Sequence, residues 1–139
     1  GDTFNRYIDL TNIGTLNGAS PTLQLSVPAA NALTTNSSTG LQISIAACSI
    51  AWVAGTCNET TTAVLASTPA ATLVATAQSL NLPSNLAGST NRLKISIALP
   101  AGNESVLNGV LPVGTVQGLT SAITWSFTVA ERAAITSNS

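Results

Sequence analysis

The chain contains no histidine and no methionine, and Lys94 is its sole lysine. Only 6% of its residues are charged, against about 25% in an ordinary domain. Each shortage excludes something. Without histidine, neither a His-based catalytic triad nor a His-ligated metal can be built. Two cysteines alone are too few for a zinc site. Four basic residues and a net charge of −1 cannot form the basic face that nucleic acid requires, nor a polybasic membrane patch. No apolar run reaches the ~18 residues of a membrane-spanning helix. The nearest, residues 63–82, is interrupted by Pro69 and by many Thr and Ser. No signal peptide is visible, so a mature form is expected.

The carboxylates are Asp2, Asp9, Glu59, Glu104 and Glu131, and no two share a motif. A pair assembled in space could serve a glycosidase, but solvated surface carboxylates are the plainer reading. Ser and Thr are too common for one of them to stand out as a nucleophile. The expectation is a non-enzymatic chain with no catalytic residues, no metal and no cofactor.

What remains is apolar and patterned. Hydrophobic residues make up 45% of 139 residues, enough for one domain with a real core. Its polar surface must come from Ser, Thr, Asn and Gln. The central stretch, residues 41–57, begins with period-two alternation: Leu41, Ile43, Ile45 and Ala47 against Gln42 and Ser44. That is the mark of a half-buried strand. The stretch also carries Trp52 and both cysteines, Cys48 and Cys57. These flank a turn signal at Ala54-Gly55-Thr56. They form either a disulfide closing a short loop or two buried thiols. The short separation favours the disulfide, and with it an oxidising, extracellular setting.

Residues 1–11 read as a strand with Phe4, Ile8 and Leu10 on one face, Arg6 discordant among them, and Tyr7 and Asp9 on the other. Turns follow at Asn12-Ile13-Gly14 and, more strongly, at Asn17-Gly18. Further strands are expected over 22–27, through Ile50 and Trp52, over 62–66 and over 91–99, with an extended piece at 79–82. Residues 29–39 read as loop. At most a short helical turn is expected near 69–75, because Pro69 suits a helix start. Lys94 falls outward beside Arg92 and reads as solvated. Residues 100–118 form a long loop. The clearest strand is 121–130, with Ile123, Trp125, Phe127 and Val129 assigned to the core. Residues 133–139 look like a loose tail on a single domain spanning 1–139. About seven or eight short strands with turns between them predict an all-β, antiparallel β-sandwich.

Three Asn-X-Ser/Thr sequons, at Asn36, Asn58 and Asn103, fall in expected loops and are candidate glycan acceptors, although such triplets arise by chance in a chain this rich in Ser and Thr. The outward strand faces carry almost no charge. Monomeric proteins commonly guard sheet edges with charge, Pro or bulges. A surface of Thr, Ser and Ala fits either burial against copies of itself or a monomer dispersed by its hydroxyls.

The order of short motifs is informative. Gly1-Asp2-Thr3 opens the first strand and leads to Leu10-Thr11-Asn12-Ile13-Gly14. Gly40-Leu41-Gln42-Ile43 leads to Cys48-Ser49-Ile50-Ala51-Trp52 and Gly55-Thr56-Cys57. Asn91-Arg92-Leu93-Lys94-Ile95 and Gln117-Gly118-Leu119-Thr120-Ser121 follow, with a closing Trp-x-Phe-x-Val strand. This order resembles the TasA/camelysin (CalY) family of secreted biofilm-matrix fibre proteins, including related archaeal bundling pilins. The resemblance implies a jelly-roll-like sandwich. It also implies a structural subunit, secreted to the cell surface, that forms homopolymeric filaments by β-strand addition. Its partners would be itself and other matrix components. Family members carry a donor segment ahead of the Gly-Asp-Thr motif. Here the sequence given begins at that motif, so the expected subunit junction moves to residues 1–11, namely Thr3, Phe4, Arg6, Ile8 and Leu10, with the tail after Arg132 as a second candidate. The metalloprotease activity described for camelysin-type members does not carry over to a chain without histidine. The alternative is a monomeric extracellular adhesion or carbohydrate-binding module.

Overall fold

The computed structural model describes residues 1–102 and 104–132. Seven strands and two short helices follow in the order β1 (Thr3–Thr11), β2 (Gly18–Ser26), α1 (Ala32–Thr35), β3 (Gln42–Cys48), β4 (Thr61–Pro69), α2 (Ala70–Ala75), β5 (Gln78–Ser79), β6 (Thr90–Ala98) and β7 (Thr124–Glu131). They form two antiparallel sheets, one ordered β1-β6-β3-β4 and the other β5-β2-β7. This is the all-β sandwich expected from the alternating patterns. The expected strand over 91–99 is β6, which pairs β1 without a break from Thr3↔Ala98 to Thr11↔Thr90.

The core is where period-two residues of the two sheets meet. Leu23 and Leu25 of β2 pack with Ile43 and Ile45 of β3 and Leu93 and Ile95 of β6. Leu23, Ile43 and Leu93 are fully inaccessible, so each contributes the roughly 1.5–3 kcal/mol of a buried aliphatic side chain.

One side of the sandwich is sewn shut. The backbone of Leu80 donates to Pro21 of one sheet, and that of Asn81 donates to Val64 of the other, both at 2.9 Å. Leu73 of α2 is fully buried beneath this seam. The helix expected near 69–75 is α2, which starts straight after Pro69.

Four local expectations need correction. Asn17-Gly18 is not a turn: Gly18 opens β2, and a Cβ there would collide with Val129 Cγ1. Glycine serves close approach there, not a reversal. β2 also begins earlier than residue 22, because a bulge between Ala19 and Thr22 carries Ser20 at φ 48° and lets Pro21 sit within the strand. Residues 31–35 are not plain loop. Asn31 caps α1, accepting from Leu33 N, while Thr34 Oγ1 accepts from Asn31 N, a reciprocal cap that supports even one helical turn. No strand runs through Ile50 and Trp52. A single bridge joins Val53 to Thr56 around Ala54 and Gly55, both at positive φ.

The expected tail, 133–139, lies outside the described residues. No helix among them is long and apolar enough to cross a membrane.

Candidate assembly interface

Opposite the sewn side, the sandwich is open. β1 ends one sheet and β7 ends the other, and no ladder joins them. Among the described residues each strand has a neighbour on one side only, so each presents a free edge of backbone donors and acceptors there. Between them runs an apolar groove of about 440 Å³, with Phe4, Arg6 and Ile8 on one wall and Ile123, Trp125 and Phe127 on the other. Phe4 is 54% exposed, although it points inward.

Among the expected junction residues, Phe4, Arg6 and Ile8 line this groove. Leu10, further along the same face, lines a separate pocket at the end of the sandwich. Thr3 has the opposite parity and lies on the outer face. Arg6 was the residue least at home in a core. Its guanidinium carbon lies 5.1 Å from the centroid of Phe4, a cation–π arrangement, and the side chain is exposed. It forms no ion pair with Asp9 or Glu131. The second unmatched polar group is Ser121 Oγ, which is buried without a hydrogen-bond partner among the described residues and lies at the same groove.

The β7 face was read as core, and this is corrected. Ile123, Trp125 and Phe127 pack against the core but are only partly buried, and Val129 is 43% exposed. The physical reason is that β7 is an edge strand whose facing strand, β1, stands off across the groove. Alternation identifies an inward face. It does not say whether the opposite sheet reaches it, which is why these three groove residues were missed as interface candidates.

A second surface lies on the outer face of the four-stranded sheet. Cys48 and Cys57 are joined, with their Cα atoms 5.6 Å apart. The disulfide folds the intervening loop back onto the sheet and lays Trp52 there. Lys94 Nζ sits 4.7 Å from the Trp52 ring centroid, and the Tyr7 ring is 5.9 Å away, tilted by 54°. Beside them is a shallow hollow of about 610 Å³ that includes Asp9 and Arg92. These two face each other in register without closing an ion pair.

The sequons separate. Asn36 caps the end of α1, and its Oδ1 accepts from Ser38 N and Thr39 N, both at 2.9 Å. Asn58 is fully on the surface beside Cys57. Asn103 lies outside the described residues. Among the described residues no group of three or more His, Cys, Asp or Glu could hold a metal.

No protein-family model, curated protein or solved structure matches the chain.

Proposed function

We propose that the chain is a secreted structural subunit of an extracellular filament, of the TasA/camelysin kind, whose open groove takes an extended segment from another copy. The observation that carries this reading is the groove between β1 and β7. It has a free backbone edge on each side, apolar walls, and a buried Ser121 hydroxyl with no partner. An inserted strand would pair both edges and cover Phe4, Trp125 and Phe127. It would also supply a carbonyl to Ser121 and to Arg6. Main-chain ladders give such a joint its affinity, and alternate side chains in the groove give its register. A monomer gains nothing from leaving this face open, since exposed edges are aggregation sites. Strand β1 is committed to its own sheet, so its role in this reading is to receive a strand rather than to donate one. The disulfide fits an oxidising compartment. The reading assigns no catalytic role to any residue.

The hollow beside Tyr7 and Trp52 favours a second reading, a glycan-binding module. Aromatic faces with a neighbouring carboxylate and guanidinium suit a sugar. It ranks second because Trp52 is already engaged by Lys94 and by its own sheet. Electron microscopy of the purified protein separates the two. The filament reading expects ordered fibres. Particles that stay monomeric and are retained on a polysaccharide column would overturn it.

A further inference from the structure

Two sheets have four edges, and they are protected unequally. β1 and β7 border the groove. β5 has only two residues, and so short an edge offers little to pair with. The fourth edge is β4, nine residues without a charge. Pro69 blunts its far end. Its middle is covered, because Asn81 N donates to the carbonyl of Val64 at 2.9 Å and Asn81 Nδ2 to that of Ala63 at 3.3 Å. Among the described residues no such contact reaches its first rungs, Thr61 and Thr62.

Immediately before those rungs stands the sequon Asn58-Glu59-Thr60. All three residues are exposed, and the backbone bends through Asn58 and Glu59. The bend is held at both ends. On one side Cys57 is bonded to Cys48. On the other, the Thr60 carbonyl accepts from Ser49 N at 3.0 Å and Thr60 N donates to Ser49 Oγ at 3.2 Å. The hydrogen bonds of this segment run through the backbone of Thr60. Among the described residues they leave the Asn58 carboxamide and the Thr60 hydroxyl free.

A free carboxamide is what glycan transfer needs. An amide nitrogen is a weak nucleophile, because its lone pair is shared with the carbonyl. A transferase must turn the carboxamide out of that conjugation, so the acceptor's own fold must not hold it. Asn36 fails this requirement. Its Oδ1 is taken by Ser38 N and Thr39 N, and its backbone is bonded on both sides, N–H to the Ala32 carbonyl and carbonyl to Gly40 N. Asn58 meets it.

We infer that Asn58 is the acceptor of an N-linked oligosaccharide, which guards the open start of β4. The donor is an oligosaccharide carried on a polyprenyl pyrophosphate. Asn58 Nδ2 attacks the anomeric carbon, and a carbon–nitrogen bond forms there as the bond from that carbon to the pyrophosphate oxygen breaks. The pyrophosphate carrier leaves with the electron pair, and the proton lost from Nδ2 balances it. A glycan is bulky and well solvated. Beside Thr61 and Thr62 it blocks pairing by another chain, the task that charge performs on other edge strands. β4 lies three strands from β1, about 14 Å across the sheet. The glycan therefore stands on the side away from the groove and leaves it clear. The modification needs no fibre, so its failure and that of the filament reading are read separately.

The test takes the protein from its natural source and maps its peptides by mass spectrometry, with fragmentation that keeps sugars attached. The peptide holding Asn58 should carry a glycan localised to that residue, and the peptide holding Asn36 should be bare. Two variants made in the same source, Asn58→Gln and Thr60→Ala, should both lose the glycan, the second because it removes the sequon while keeping the asparagine. Circular dichroism checks that each is folded. Light scattering should then show both variants aggregating at lower protein concentration than the glycosylated chain. A bare Asn58 in the natural protein, a glycan on Asn36, or a modification that survives Thr60→Ala overturns the assignment. Variants that lose the glycan and stay as dispersed as the parent overturn its guarding of β4.

Discussion

Trp52 Nε1 donates to the backbone carbonyl of Arg92 at 3.1 Å, on the rung where Cys48 faces Arg92. The loop between the cysteines is thus pinned at one place by two different bonds. The disulfide returns the chain to the sheet, and the indole then fixes which way the loop lies. Lys94 and Tyr7 pack against the ring, giving the outer face a small apolar anchor of its own.

Reduction should expose the disulfide's share of stability. A loop this short is expected to contribute roughly 2–3 kcal/mol through the unfolded chain. Denaturant melts with and without reductant measure it. Mass spectrometry under alkylation should find no free thiol before reduction and two after. Alkylation of the native, unreduced protein would contradict the bond.

Trp52→Phe isolates the hydrogen bond from the packing. Phenylalanine keeps most of the ring contact but leaves the Arg92 carbonyl without its donor, so a loss of about 1 kcal/mol is expected. A loss several times larger in urea melts would mean that the indole's bulk, not its N–H, holds the loop.

Much of this fold was legible because sheets leave a simple trace. Leu93 and Ile95, or Ile43 and Ile45, alternate with polar residues, and all four are core. The cysteine pair was legible for a similar reason: few partners and a turn between them. What could not be read was anything set by the approach of distant segments. Gly18 looks like a turn residue until Val129 is placed against it. Trp125 and Phe127 look like core until β1 is seen standing away from them. The connection over 100–118 reads as plain loop, and the bridge that closes Leu107 onto Val110 within it has no periodicity to announce it.

Trp125→Ala tests the revised burial of β7. A fully buried aromatic would cost about 3–5 kcal/mol. With the ring half open to the groove, the expected cost to the monomer is about 2 kcal/mol, read from denaturant melts. A cost in the full-burial range would mean the groove is closed in solution.

Assembly should be nearly indifferent to simple salt. The groove is apolar apart from Arg6 and Ser121, and the chain has only four bases and five acids. Raising sodium chloride from about 0.05 M to about 1 M screens surface charge almost completely. It should change the free energy of association by no more than about 0.5 kcal/mol. Fibres that dissolve at high salt would place the joint on charged contacts instead.

Amide exchange distinguishes strand addition from every other way of joining these subunits. On an antiparallel edge strand, alternate N–H groups point away from the neighbour and meet water. In the monomer, the outward amides of β1 and β7 should therefore exchange quickly, while those of β3 and β6, flanked on both sides, exchange slowly. A segment inserted in the groove would convert both edges into central strands, so the outward amides of β1 and β7 should slow by orders of magnitude in fibres. Exchange followed by mass spectrometry on monomer and fibre therefore reads the groove directly. Fibres whose β1 amides exchange as fast as the monomer's would rule out the groove as the site of strand addition.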